Sequence, residues 1–267
     1  MTRILALLGK ELTDLGRNRS VFYPALITGA TAMIIPFFVA VIVPYLAGEQ
    51  LSDSSDFRVA QEMYERQPGS RTLDPEAAIQ AWIFQQFLLL LVLTPIAGAM
   101  SVAAYTVIGE KQARTLEPLL ATPLTTFELL AAKVLGSLIP ALALGIGGFL
   151  IYVLLVAIFA RDGVFTALLS GRSLGIVFII GPLASLAALQ LAVCVSSRVN
   201  DPRSAQQIGA LIILPITALL VAQLIGRVVL SGAVLGGIAL LLVAANVALM
   251  RIGIALFDRE AILTRWK

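Results

Sequence analysis

Six runs of apolar residues, each long enough to cross a bilayer, leave this chain little choice of fold. They cover 21–46, 82–108, 127–159, 174–195, 208–225 and 228–250. A membrane-crossing helix needs about 20 such residues. Inside hydrocarbon every backbone N–H and C=O must find a partner, which restricts spanning structures to helices and closed barrels. Continuous runs of this length, without polar alternation, select helices. Only 13% of the 267 residues are charged, about half the share of a soluble domain. The expectation is a single all-α integral membrane domain over 1–267 with six transmembrane helices.

Basic residues orient the spans, because cytoplasmic segments are enriched in Lys and Arg. With the N-terminus inside, thirteen of the nineteen fall on the inner side: Arg3, Lys10, Arg17, Arg19, Lys111, Arg114, Lys133, Arg198, Arg203, Arg251, Arg259, Arg265 and Lys267. Both termini are then cytoplasmic, in a multi-pass protein of the cell membrane. Residues 1–20 are too polar to span. Ile4, Leu5, Leu8, Leu12 and Leu15 share one helical face and the charges the other, so this segment reads as an interfacial helix. Its role is either anchor or gating element.

The longest outer loop, 47–81, carries seven acids. Phe57, Ala60, Met63 and Tyr64 at helical spacing predict a short amphipathic helix there. Asp74-Pro75-Glu76 predicts that the second helix starts outside the membrane, with Asp74 as N-cap. The loop is either a lid on the outer helix ends or a substrate receptor.

Between the second and third runs lies "GEKQARTLEPLLATPLTTFELLAAK", residues 109–133. A polar group, Glu110 to Arg114, precedes a short amphipathic turn with Leu116, Leu119 and Leu120 on one side. Pro123 interrupts continuation. Thr125 with Glu128 three residues on spells a capping box that starts the third helix. The expected form is a short cytoplasmic helix flanked by turns. Its leucines either dip into the headgroup layer or meet a partner protein.

Composition excludes much chemistry. The chain has no histidine, hence no Ser-His-Asp triad and no HExxH zinc site. It has no phosphate-binding GxxxxGK[ST] loop, and one cysteine, Cys194, forms no disulfide framework. Neither catalytic nor metal nor cofactor residues are expected. No basic cluster points to nucleic acid. A Ser-Lys dyad stays open on composition alone.

The 109–133 stretch resembles the signature loop of the permease subunits of type-2 ABC exporters. The likeness extends to the "KEL" N-terminal helix, the six spans, "SSRVNDPRSAQQIGALIILP" and the tail "FDREAILTRWK". Arg114 departs from the glycine that often precedes Thr-Leu-Glu in that family. The resemblance implies a non-catalytic transmembrane subunit forming half of a pathway, with a second permease copy or a homologous permease. ATP and Mg would reside in a separate cytosolic ATPase. Segment 109–126 would be the coupling loop, with Glu110, Arg114, Leu116, Glu117, Leu119, Leu120 and Thr122 as contacts. Residues around Arg198 and Arg203 are either a minor ATPase contact or an anchor.

No Asp, Glu, Lys or Arg falls in the middle of a run, and Glu128, Lys133 and Arg251 sit near inner ends where they are expected to reach water. That counts against ion-coupled carriage, yet an ion-driven or passive secondary transporter remains the alternative. Polar residues within the runs include Gln85, Gln86, Thr94 and Gln190, candidates for the pathway or for interhelical hydrogen bonds. Gly145 to Gly148 and Gly232-x-x-x-Gly236 offer close-packing surfaces. The substrate is not written in the sequence.

Overall fold

The computed structural model describes residues 8–9, 13, 23–67, 72–112, 125–196, 207, 211, 213–225 and 230–256. Among these residues the chain is helical and has no strand. The first span comprises α1 (Tyr23–Phe37), a π-helical segment (Phe38–Ile42) and α2 (Val43–Ala47). Gly48 ends it at φ 69°, a left-handed conformation that costs glycine nothing. Two 3-10 turns follow, then α3 (Arg58–Glu65). α4 runs Pro75–Gln112 and α5 Thr126–Phe159. Short helices α6 (Val164–Leu168) and α7 (Gly171–Gly175) lead through a second π segment (Ile176–Ile180) into α8 (Gly181–Ser196). α9 (Ile213–Leu224) and α10 (Gly232–Leu256) complete the described chain.

Among the described residues five segments are long and apolar enough to cross a membrane: Ala25–Ala47, Pro75–Met100, Phe127–Phe159, Gly171–Ser196 and Gly232–Leu256. The expected fifth run is represented by α9, whose 12 residues rise only about 18 Å against a hydrocarbon core of ~30 Å. Most of residues 197–212 lie outside the described residues. So does the expected interfacial helix, apart from Leu8, Gly9 and Thr13, all helical; there the Thr13 hydroxyl donates to the Gly9 carbonyl at 2.8 Å.

The last span begins four residues later than hydropathy predicts. Ser231 accounts for this: its Oγ accepts from the Val234 N–H at 3.4 Å and its carbonyl from the Leu235 N–H at 3.0 Å. A serine N-cap satisfies the free donors of a first turn, so polar chemistry rather than apolarity sets the boundary. At the second helix the expected start holds, with Pro75 as the first helical residue and the Ala78 N–H bonded to the Asp74 carbonyl at 2.8 Å.

α4 is the hub. Its span is 83% buried inside the chain, against 22% for the first and third spans and 11% for the last. It packs on α1, α5, α8, α9 and α3. Small residues let the neighbours close in. A methyl group at Gly98 would lie 3.2 Å from the Ala25 methyl and 3.6 Å from the Ala141 methyl, so three helices meet there. At Gly145 a methyl would stand 2.8 Å from the Pro95 ring, whereas at Gly147, Gly232 and Gly236 it would meet nothing within 4 Å. Of the two expected small-residue surfaces, the first is used within the chain and the Gly232–Gly236 pair is not.

The outer loop folds onto the hub. Leu51, Ala60 and Tyr64 are buried in one cluster with Ile79, Ile83 and Phe84 of α4, and Phe57 and Met63 pack against it. The amphipathic stripe read from the sequence is therefore the buried face of α3. The buried Glu76 carboxylate accepts the Ser52 N–H at 3.0 Å, which ties the loop's first turn to the start of α4.

Candidate functional site

The α4–α5 hairpin places the loop of interest. Close approaches of Leu91 to Gly148, Pro95 to Gly145 and Gly98 to Ala141 define an antiparallel register. Carried to the inner end, it sets Gln112 opposite Phe127 and Glu128, in the first turn of α5. α4 continues to Gln112, four residues past the apolar run that ends at Ile108, about 6 Å of further helix. The two rods thus end within about 3 Å of each other along the axis, and residues 113–124 join their tips. The α5 tip has the expected capping box: Thr125 Oγ1 accepts the Glu128 N–H at 3.2 Å, and Glu128 Oε2 accepts the Thr125 N–H at 2.8 Å. Glu110 belongs to the last turns of α4. Arg114, Leu116, Glu117, Leu119, Leu120 and Thr122 lie outside the described residues, as do Arg198 and Arg203.

The four polar residues considered for the pathway are all buried within this one chain. Gln85 Nε2 donates to the Ala167 carbonyl at 2.9 Å, near the end of α6, where helical carbonyls lack intrahelical donors. Gln190 Nε2 donates to Asn246 Oδ1 at 3.3 Å, and Asn246 Nδ2 donates to the carbonyls of Leu183 at 3.0 Å and Leu242 at 2.8 Å. That network joins α8 to α10. Gln85 Oε1, Gln86 Oε1, Thr94 Oγ1, Gln190 Oε1 and Gln223 Oε1 are buried acceptors without a partner among the described residues. Groups in this state cost free energy in a low-dielectric interior.

One expectation needs correcting. Lys133 does not reach water; it is 1% exposed. It sits in the Leu129–Val134 stretch that packs on Ala99 and Ala103 of α4 and on Leu189, Ala192 and Val193 of α8. Nearness to a helix end is a statement about depth, and Lys133 is buried because of the face it occupies. Arg251 is exposed and Glu128 half-exposed, as expected.

Sequence reading missed Gln80. Its Nε2 donates to the Ala40 carbonyl at 3.0 Å, and its Oε1 accepts the Arg161 N–H at 3.0 Å. Ala40 lies four residues before Pro44, which has no N–H to return to that carbonyl. One amide thus braces the first span, the hub and the end of α5. The signal was present in the sequence: a proline inside an apolar run leaves an acceptor that another helix must serve.

Among the described residues no group of three or more His, Cys, Asp or Glu could hold a metal ion. A family model described as ABC-2 family transporter protein matches residues 60–234, from α3 to the first turn of α10. Comparison with curated proteins gives no match.

Proposed function

The chain belongs to the ABC-2 transporter family, a multi-pass membrane transport component, and on that premise we propose that it is the permease half of an ATP-driven exporter, coupled to a separate cytosolic ATPase. The observation that carries this reading is the α4–α5 hairpin. Its two ends, at Gln112 and Thr126, carry residues 113–124 between two packed helices. A push on that loop acts on α4, which packs on α1, α5, α8 and α9.

Leu116, Leu119 and Leu120 fill a groove of the ATPase, and Glu110, Arg114, Glu117 and Thr122 set its register. ATP and Mg bind in the partner, consistent with a chain that has no phosphate loop. Two permeases, identical or homologous, enclose the pathway, with both termini of each in the cytoplasm of a cell whose plasma or inner membrane they span. Gln85, Gln86, Thr94 and Gln190 supply acceptors for hydrogen-bond donors that reach the hub as the helices rearrange.

The test is Leu119→Asp with Leu120→Asp. Burying a carboxylate without a partner costs several kcal/mol, orders of magnitude in affinity. The double variant should insert normally and lose the ATPase on copurification, while Asp at the exposed Val59 in the outer loop leaves it bound. Retention of ATPase at wild-type stoichiometry by a properly inserted double variant sinks the reading.

A second reading has its own observation. Lys133 is an enclosed cation within a span, the kind of group that ion-driven carriers employ. Transport sustained by an ion gradient without ATP would favour it.

A further inference from the structure

On the outer half of the first span a groove of about 280 Å³ opens sideways between α1 and α5. Its walls run from Met33 to Ile42 on one side and include Leu155 and Phe159 on the other, all apolar. We propose that it is a binding site for one acyl chain of a zwitterionic glycerophospholipid of the outer leaflet, whose headgroup sits against Arg161, Asp162 and Glu49. The leaflet assignment rests on the orientation proposed above; the site itself does not depend on an ATPase partner.

The shape selects a chain. From Met33 to Ile42 the wall extends about 13 Å along the helix axis. The groove is also built rather than left over. Its floor is the Phe37 ring, held 4.9 Å from Phe84 and 5.8 Å from Tyr152, and the Tyr152 hydroxyl is fixed by donating to the Phe84 carbonyl at 2.9 Å. Its outer end includes the π segment, and Gln80 sets the distance there by bonding Ala40 on one side and Arg161 on the other. π segments are frequent at functional positions because they break the regular packing surface of a helix.

The mouth supplies the headgroup chemistry. Arg161 lies two residues beyond Phe159, Asp162 follows it, and Glu49 lies just past the end of the first span; all three are exposed. One guanidinium suits a phosphate, and the flanking carboxylates suit an ammonium. A purely anionic headgroup would face two carboxylates for one cation.

The experiment uses the full chain in vesicles that contain phosphatidylethanolamine carrying a photoreactive diazirine in mid-chain. Labelled peptides are mapped and normalised to those holding Leu240 and Leu241 of α10, which are 74% and 68% exposed and report bulk lipid. Label should concentrate at Val41–Ile42 and Leu155–Phe159 and fall about tenfold in Val41→Trp, with α10 labelling and monodispersity unchanged. Unlabelled phosphatidylethanolamine should compete better than phosphatidylglycerol, and Arg161→Gln with Asp162→Asn should erase that difference. Equal labelling of groove and α10 means bulk lipid only and overturns the proposal. So does an unlabelled groove in which Ile42→Cys crosslinks between copies, because a second protomer then covers it. ATPase copurification, measured in parallel, separates failure here from failure of the functional reading.

Discussion

Gly145→Ala tests the central packing of this bundle, and Gly147→Ala on the same helix is its internal control. A methyl at 145 would stand 2.8 Å from Pro95 Cγ and 3.0 Å from Cβ and Cδ. Carbon atoms prefer about 3.5–4.0 Å, so α4 and α5 must part by roughly 0.7–1 Å. The proline ring is closed onto its own backbone and cannot rotate away. A gap of that size forfeits a quarter to a half of each contact's dispersion energy, and overpacking of this kind costs about 1–3 kcal/mol. Against this, alanine is preferred over glycine in a helix by roughly 0.5–1 kcal/mol. At 147, where nothing lies within 4 Å, only the favourable effect operates. The 147 variant should therefore be more stable than the 145 variant by about 1–3 kcal/mol, read from denaturant titrations of the full chain in mixed micelles. Equal stabilities, within about 0.5 kcal/mol, would refute the close α4–α5 crossing at Pro95.

Gln80→Leu removes one buried and one part-buried hydrogen bond and should lower stability by about 1–2 kcal/mol, given that membrane-embedded bonds average roughly 0.6 kcal/mol and orphaned groups cost more; Leu at Gln67, in the outer loop, should leave the same titration unchanged. In a chain lacking Cys194, Ser70→Cys should react with an impermeant thiol reagent in intact cells and Thr122→Cys only after permeabilisation; reaction of both from one side would refute the orientation. The purified chain alone should hydrolyse no ATP above background, and hydrolysis by contaminant-free chain would place the ATP site wrongly.

The parts legible in the sequence are those governed by neighbours along the chain. Thr125 and Glu128 form their capping box because both partners sit within one turn, and Pro75 opens α4 because it has no N–H to leave without an acceptor. The α3 stripe is legible for the same reason, since four residues at helical spacing share a face whatever covers it. What escaped was set by distant partners. Lys133 is enclosed by α4 and α8, and no count of residues from a helix end reveals which side a residue faces. Gln80 reads as one polar residue in a loop until Ala40 and Arg161, 40 and 81 positions away, are brought to it. The helices α6 and α7 escaped because five-residue elements give no periodicity to detect. For the segment between α4 and α5, the flanking helix ends are described, and Leu116, Leu119 and Leu120 lie outside the described residues.

The bond from Gln85 to the Ala167 carbonyl spans 82 residues, and that separation has a meaning for biogenesis. At ~5–20 residues per second of synthesis, α4 exists for roughly 4–16 s before its acceptor has been translated. During that interval the Gln85 amide of the nascent hub lacks its acceptor. A ribosome stalled just short of Ala167 would leave a chain with most of its hydrophobic length but without this closure. Such chains should be prime clients of membrane quality control, retained by insertion chaperones or degraded, whereas stalling a few tens of residues later should release a core already stitched shut.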